Sequence, residues 1–256
     1  MEVKAFYDYQ NPEEALKVFL EAHDNLEDHI REKVLKRFLI KNLPSIKDKE
    51  VLDVGAGGGI WTEFWLHEGA RVTALDKHSP ILLANKSRNP GAKFIEADAT
   101  TVEIRKKFDI IFAKDLIEHL KDDETFLKNM ADHLKEDGYL FLETQNSLSL
   151  NYFVEGGYNF LHGNIGWCGY DPTHLRFYNF RRLGRKLRQV GLKPTRWWSA
   201  YHFPYRFLSR KILKRLIEWK GFHLIELLHL DDKFHFKYTG WAIGVIAKKE
   251  EGELHR

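Results

Sequence analysis

A glycine-rich turn is the first segment of this sequence whose residues and spacing suggest chemistry. The turn, Asp-Val-Gly-Ala-Gly-Gly-Gly at residues 53–59, follows the apolar run Glu50–Val54. Glycines allow a ligand to approach the backbone closely, and open α/β sheets bind ligands beyond the carboxyl ends of their strands. The spacing departs from the nicotinamide pattern Gly-x-Gly-x-x-Gly/Ala, because the sixth position counted from Gly55 is Ile60. Taken alone, the turn also fits a purely structural role.

Two acidic residues follow the next two apolar runs. Asp76 ends the predicted strand Arg71–Asp76, where a carboxylate can accept hydrogen bonds from ribose hydroxyls. Asp98 follows the predicted strand Lys93–Glu96 and can accept a hydrogen bond from an exocyclic amine such as that of adenine. Either acid alone also fits a loop or capping role. Together with the glycine turn, the two acids form a specific combination.

The elements that must position these residues alternate between strand and helix. The apolar runs predict strands at residues 50–54, 71–76, 93–96, 108–114, 139–144, 195–200 and 241–248. Apolar spacings of three and four predict helices at residues 12–42, 60–68, 80–88, 122–135, 180–190 and 205–230. Such alternation predicts right-handed crossovers and a mostly parallel sheet covered by helices on both faces. Residues 146–178 break the pattern and read as a long loop or partly structured insertion of the kind that forms lids or binding elements.

Composition excludes several classes of protein. Cys168 is the only cysteine among 256 residues, so an internal disulfide framework is excluded. No run of about 18 apolar residues suggests a membrane-spanning helix, and the first ten residues lack an apolar signal-peptide core. These features predict a cytoplasmic protein. The net charge of +3 hides an asymmetry, because residues 176–220 contain 14 Lys and Arg but one acid.

In order and spacing, residues 45–200 resemble the class I S-adenosylmethionine-dependent methyltransferases, and most of all the branch of the ubiquinone and menaquinone biosynthesis enzymes. The resembling segments are VLDVGAGGG (51–59), TALD (73–76), IEADA (95–99), FDIIFA (108–113), IEHL (117–120) and LKEDGYL (134–140). The resemblance implies an α/β, Rossmann-like, doubly wound seven-stranded sheet, mostly parallel, with an antiparallel last strand. It also implies an N-terminal helical lid at 1–45 and a methyltransferase domain at 46–256, with acceptor-side insertions at about 146–178 and 201–235.

The resemblance further implies how S-adenosylmethionine would be held. The implied cofactor-binding residues are Asp53, Gly55, Ala56, Gly57, Asp76, Lys77, Asp98, Ala99 and Lys114. Asp53 would support the turn, Asp76 would hold the ribose, and Asp98 the adenine amine. Tyr7 and Tyr9 are candidates for closing the lid, with plain packing as the alternative. No metal is expected, because the thirteen histidines and one cysteine show no His-x-x-x-His or Cys-x-x-Cys spacing.

The acceptor side is expected to need a base only if the acceptor must lose a proton. The candidate catalytic residues are His174, His119 and Glu118, and the candidate substrate contacts are His162, Arg176 and Tyr178. Capping or packing is the alternative role for Glu118 and His119.

The basic stretch offers three interpretations. Residues 205–220 form a basic amphipathic pattern that can lie on an anionic membrane, face RNA or a phosphorylated metabolite, or pack on its own domain. The leading hypothesis is methyl transfer from S-adenosylmethionine, with S-adenosylhomocysteine as product, to O, N or C of a small or lipid-like acceptor. The alternatives are a tRNA or rRNA methyltransferase using residues 176–220, and a non-catalytic cofactor-binding regulator. A nicotinamide oxidoreductase ranks behind these.

Overall fold

A single seven-stranded sheet organises the chain. The computed structural model describes residues 6–165, 167, 169, 171, 173–202 and 238–250. The strands are β1 (Glu50–Val54), β2 (Arg71–Asp76), β3 (Lys93–Glu96), β4 (Phe108–Lys114), β5 (Leu134–Gln145), β6 (Leu192–Ala200) and β7 (Ala242–Lys249). Their order is β3-β2-β1-β4-β5-β7-β6. β7 is antiparallel to both β5 and β6, and the other neighbouring pairs are parallel. The predicted fold class is therefore confirmed.

Seven α-helices accompany the sheet in the described residues. They are α1 (Pro12–His23), α2 (Leu26–Asn42), α3 (Ile60–His67), α4 (Ser79–Arg88), α5 (Asp123–His133), α6 (Gly157–Leu161) and α7 (Phe180–Gln189). The single helix predicted over residues 12–42 is wrong, because the chain breaks before α2. Asn25 adopts an extended backbone there, and its side chain accepts a hydrogen bond from the Asp28 N–H at 3.0 Å. Asn caps of this kind satisfy the free N–H groups that open a helix.

Alternating side chains of the central strands form two cores. Phe112 of β4 stacks on Phe141 of β5 with ring centroids 5.3 Å apart, and Phe112 also contacts Trp61 and Trp65 of α3. Ile111 points to the opposite face, into a second core shared with α5 and α7. Large apolar residues on both faces are what a strand buried between two helical layers requires. The core thereby fixes where each strand ends.

The predicted insertion leaves and rejoins the sheet at one place. The Tyr178 N–H donates to Gln145 O at 3.1 Å, and the Ser147 N–H donates to Tyr178 O at 2.7 Å. Between these points the chain forms a π-helical turn, Tyr152–Gly156, that continues into α6. α7 then begins after Asn179, whose side chain accepts hydrogen bonds from two backbone N–H groups, as the sequence predicts.

The predicted basic helix at 205–230 lies outside the described residues, as do most of the insertion at 201–235 and Cys168. No described helix combines the length and the apolar character that crossing a membrane requires.

Candidate active site

The glycine turn follows β1 in a left-handed conformation. Gly55 and Gly57 have φ of 71° and 49°, values that side-chain-bearing residues adopt at a cost. Leu75 O on β2 accepts hydrogen bonds from the N–H groups of Gly55 at 2.8 Å and Ala56 at 3.1 Å. A Cβ atom on Gly57 would lie 2.8 Å from the Phe19 ring, so α1 covers the turn closely. The turn is thus held between β2 and the N-terminal helix.

Asp53 lies on β1, two residues before Gly55. Its side chain is 2% exposed and accepts a hydrogen bond from Thr62 Oγ1 at 2.7 Å. Burial raises the pKa of Asp53 to about 7, the Thr62 hydrogen bond opposes the rise, and the Asp76 charge adds to it. Asn85 Nδ2 donates to Thr62 Oγ1 at 3.1 Å and extends the network to α4. This network joins β1 to α3 and α4, and the supporting role of Asp53 stays a prediction.

Asp76 closes the turn from the end of β2. Its Oδ2 accepts the Gly57 N–H and its Oδ1 accepts the His78 N–H, both at 2.9 Å. The side chain is partly exposed. An ionised carboxylate has about four lone-pair sites, so acceptor capacity remains for a second pair of donors. Ribose hydroxyls are donors of the kind this group can take.

Asp98 follows β3 and is exposed. Its Oδ1 accepts hydrogen bonds from Thr100 N at 2.8 Å and Thr100 Oγ1 at 2.6 Å. These bonds lower the pKa of Asp98 and outweigh its partial burial, and the charge of the exposed Lys77 contributes in the same direction. Oδ2 forms no hydrogen bond within the described residues, so it can accept from an amine. Ala99, by contrast, is buried in the core on the α5 face.

Lys114 belongs to a buried ion cluster that sequence reasoning missed. Its ammonium contacts Asp115, and Arg31 of α2 donates to both oxygens of Asp115 at 2.5 and 2.7 Å. Arg31 Nε also donates to Glu143 of β5 at 3.2 Å. Although burial acts in the opposite sense, the Arg31 and Lys114 charges hold the pKa of Asp115 well below its usual range. The cluster ties α2 to the carboxyl ends of β4 and β5.

Asp115 itself is a backbone exception. Its φ is 49°, in the left-handed region that a residue other than glycine rarely occupies. The side chain of the following residue, Leu116, would lie 3.2 Å from a Cβ atom placed on Gly55. The chain therefore turns from the ion cluster directly onto the glycine turn, and then into the short helix Ile117–His119.

Glu118, His119 and His174 come together beyond this turn. The rings of His119 and His174 have centroids 4.7 Å apart, and each of the three residues offers one ligand-type atom within 4.8 Å of the others. Glu118 is fully buried, and its Oε2 accepts from Thr144 Oγ1 at 2.9 Å, whereas Oε1 has no hydrogen-bond partner among the residues that the structure describes. Burial and the Asp115 charge raise the pKa of Glu118 to about 7, and the His174 charge opposes the rise.

A hydrogen-bond chain orients His119. Thr173 Oγ1 donates to Asp171 Oδ1 at 2.6 Å and lies 2.8 Å from His119 Nδ1. Because the one Thr173 proton goes to Asp171, His119 Nδ1 must be the donor in the second bond, and the lone pair of the neutral ring lies on Nε2. The Tyr7 hydroxyl also hydrogen-bonds Thr173, so the N-terminal segment reaches the same network.

The three predicted substrate residues lie in other surroundings. Tyr178 is fully buried and its hydroxyl donates to Asp123 Oδ2 at 2.5 Å. Arg176 forms an ion pair with the same carboxylate at 3.1 Å. His162 is exposed and stacks on Tyr158. The structure thus brings His174, His119 and Glu118 together, but gives Tyr178 and Arg176 a shared acidic partner elsewhere.

Two contacts between residues far apart in the sequence explain why spacing along the chain predicts only part of the site. The predicted absence of a metal site rested on short spacings, yet Glu118 and His119 meet His174, which lies 56 and 55 positions later in the sequence. One carboxylate and two imidazoles can accept a proton or bind a divalent cation. Arg31 and Glu143 are 112 residues apart and meet only in the folded sheet. Neither contact leaves a periodic signal in the sequence.

Comparison with known proteins identifies relatives of this chain. A family model described as a methyltransferase domain matches residues 28–227, which is more than half of the chain. The ubiquinone biosynthesis O-methyltransferase of Yersinia enterocolitica is 32% identical over 115 residues, covering 43% of this chain and 48% of that protein. The enzyme of the same name from Nitrosospira multiformis is 27% identical over 151 residues, covering 56% and 62%. The chain therefore spans about half of the length of these curated relatives.

Solved structures share the fold at low sequence identity. Magnesium protoporphyrin IX methyltransferase from Synechocystis, with bound S-adenosylhomocysteine, matches with a TM-score of 0.59 and 12% identity over 85% of this chain and 81% of that one. An S-adenosylmethionine-dependent methyltransferase from Mesorhizobium loti matches with a TM-score of 0.57 and 15% identity, covering 88% and 99%. At these identities the likeness establishes the architecture.

Proposed function

The chain belongs to the methyltransferase domain family, and on that premise we propose that it transfers a methyl group from S-adenosylmethionine to an oxygen atom of a small, lipid-like acceptor. The observation that carries the proposal is the close approach of Leu116 to Gly55. A Cβ atom placed on Gly55 would lie 3.2 Å from the Leu116 side chain. This contact joins the two halves of the site. The turn and the two acids lie on one side, and the Glu118, His119 and His174 cluster follows Leu116 on the other.

The residues on the cofactor side fit the donor molecule. S-adenosylmethionine supplies a methyl group on a positively charged sulfur, which is already a good leaving group. Asp76 retains acceptor capacity for ribose hydroxyls, and Asp98 Oδ2 can accept from the adenine amine. Gly55 and Gly57 leave the turn without side chains at the point where the backbone must approach a ligand. Phe19 and Tyr7 support the predicted N-terminal lid, since one covers the turn and the other reaches Thr173.

On the acceptor side, a hydroxyl group is the acceptor that the site suits. We assign His119 Nε2 as the proton acceptor, because the Asp171–Thr173 chain fixes its other nitrogen as a donor. His174 packs against the His119 ring, and the Glu118 carboxylate beside it can stabilise the positive charge that the ring gains. Alignment of the two reactants contributes up to about 7–11 kcal/mol in favourable cases, and the base about 10²–10⁴-fold in rate. The names of the curated relatives, O-methyltransferases of ubiquinone biosynthesis, support oxygen and a lipophilic quinone-like acceptor.

Thr173 variants test this assignment. We expect Thr173→Val to lower kcat by about 10²-fold and to change the pH profile of kcat, because His119 then loses its fixed tautomer. Thr173→Ser retains the hydroxyl and should restore most of the activity. The affinity for S-adenosylhomocysteine should stay within about twofold in both variants, since Thr173 is outside the predicted cofactor residues. Equal activity of the Thr173→Val and Thr173→Ser variants would refute the role of the hydrogen bonds that link Asp171, Thr173 and His119.

Treatment with a chelator distinguishes a proton-acceptor role from cation binding at the same three residues. The proposal expects unchanged turnover after EDTA treatment. Loss of turnover with EDTA and recovery with Mg²⁺ would assign Glu118, His119 and His174 to a cation instead.

A further inference from the structure

The insertion between β5 and α7 exposes apolar side chains that proteins in water usually bury. Phe153, Phe160, Leu161 and Ile165 are 61%, 63%, 82% and 80% exposed. We call these four residues the apolar surface. Large exposed apolar patches mark interaction sites. Four such side chains within thirteen residues therefore indicate that this segment meets something other than water.

The segment around the apolar surface contains little negative charge. Glu155 and Asp171 are its only acids between residues 146 and 178. Glu155 is 4% exposed, and Asp171 accepts both the hydroxyl and the N–H of Thr173. An anionic partner would therefore meet no exposed carboxylate of this segment.

The next helix is strongly basic. α7 contains five Arg and Lys residues and no acid. Three of its arginines line a groove of about 650 Å³, together with two aromatic residues and a glutamine. The groove residues are Arg181, Arg185, Arg188, Phe180, Trp197 and Gln189. In the described part of the chain none of the three arginines pairs with an acidic side chain, whereas Lys186 of the same helix pairs with Asp123 at 2.8 Å.

The apolar surface and the arginine groove belong to one continuous stretch. The insertion rejoins the sheet where the Tyr178 N–H donates to Gln145 O at 3.1 Å, and α7 begins at Phe180. Arg182 Nη1 donates to Phe177 O at 3.2 Å, which ties the first turn of α7 to the end of the insertion. Apolar and cationic groups thus follow one another along the chain, from the insertion that leaves the carboxyl end of β5 into α7.

We propose that this stretch docks the protein on the surface of an anionic phospholipid bilayer. The apolar side chains enter the interface between headgroups and acyl chains, and the arginines meet headgroup phosphates. The inference rests on the proposed function and deepens it, because the docked segment also carries Thr173 and His174. A lipid-like acceptor would then reach the acceptor side directly from the membrane.

Two other partners would each match only part of this stretch. Single-stranded RNA would use the arginines and aromatic rings of the groove, but it offers nothing to the aliphatic side chains of Leu161 and Ile165. A second copy of the chain could bury the apolar surface, but it would bring no negative charge to the arginines. The bilayer alone satisfies both features.

Vesicle sedimentation tests the proposal with the whole protein and without S-adenosylmethionine. We expect binding to phosphatidylcholine vesicles that contain about one third phosphatidylglycerol, and weaker binding at high salt or to pure phosphatidylcholine. The double variant Leu161→Ser/Ile165→Ser should bind at least about a hundredfold more weakly, because two inserted aliphatic side chains are lost. Replacing the three groove arginines by glutamine should cost about a hundredfold, given roughly one kcal/mol for each charge. Ile40→Ser/Leu83→Ser changes exposed apolar residues of α2 and α4 and is the matched control.

All these side chains are exposed, so thermal unfolding should be unchanged in every variant. Equal binding to neutral and anionic vesicles, or loss of binding in the control as well, would overturn the proposal. RNA binding that requires the arginines, in the absence of vesicle binding, would assign the groove to RNA. A dimer that dissociates in the Leu161→Ser/Ile165→Ser variant would assign the surface to a second copy. Calorimetry with S-adenosylhomocysteine is run in parallel, so that failure of vesicle binding and failure of the proposed function remain distinguishable.

Discussion

Replacement of Asp76 by alanine removes two kinds of interaction at the cofactor side. In the protein its carboxylate accepts the Gly57 and His78 N–H groups, each at 2.9 Å, and we propose that ribose hydroxyls are its further donors. A hydrogen bond to a charged group contributes about 1.5–3 kcal/mol, and a donor left without a partner costs about 1–3 kcal/mol. Partial exposure of the site lets water replace part of this loss. We therefore expect S-adenosylhomocysteine to bind about 1–3 kcal/mol more weakly, which is roughly 5- to 150-fold.

Glu96 provides the matched control for Asp76. It ends the neighbouring strand β3 in register with Asp76, is exposed, and has no predicted role. Isothermal titration calorimetry should show the loss in Asp76→Ala and an unchanged Kd in Glu96→Ala, with both variants folded by circular dichroism. An unchanged Kd in Asp76→Ala, or an equal loss in both variants, would refute the assignment of the ribose site.

Three further predictions address catalysis and stability. His174→Ala should lower kcat by about 10²-fold while Kd for S-adenosylhomocysteine stays within about twofold, and an equal loss in both would place His174 in the cofactor pocket. Because burial raises the pKa of Asp53 to about 7, the unfolded chain loses this proton first as pH rises, so the free energy of unfolding should fall between pH 4 and pH 7. Asp53→Asn should remove about 2–3 kcal/mol of the wild-type difference between pH 5 and pH 8 in urea unfolding, and an identical pH dependence would contradict this. Arg31→Met leaves Asp115 and Glu143 buried without their guanidinium partner and should cost about 3–5 kcal/mol in urea unfolding, whereas a cost below about 1 kcal/mol would show that water replaces Arg31.

Most of the sheet could be predicted from sequence because its strands are buried on both faces. β1 and β4 begin and end at the predicted residues, since short apolar runs bounded by polar residues leave few alternatives. The break before α2 was missed because the apolar spacing continues through it. The capping signal was nevertheless present in Asn25, followed three residues later by Asp28.

Less of the candidate site could be predicted from the sequence. Glycines and acids at strand ends follow from chain order, so the turn and Asp76 could be placed together. The meeting of His119 with His174, and of Arg31 with Glu143, depends on how the sheet and the insertion fold back. The contact of the Tyr178 hydroxyl with Asp123 also depends on the fold, and the substrate role of Tyr178 stays a prediction.

Transfer of labelled methyl groups tests the central claim most directly. The purified protein is incubated with methyl-labelled S-adenosylmethionine and a host-cell extract, which is then separated into lipid, RNA, protein and small-molecule fractions. We predict label in the lipid or small-molecule fraction with the wild type, and about 10²-fold less with His174→Ala. Label confined to RNA, or no label above that of the extract alone, would contradict the account.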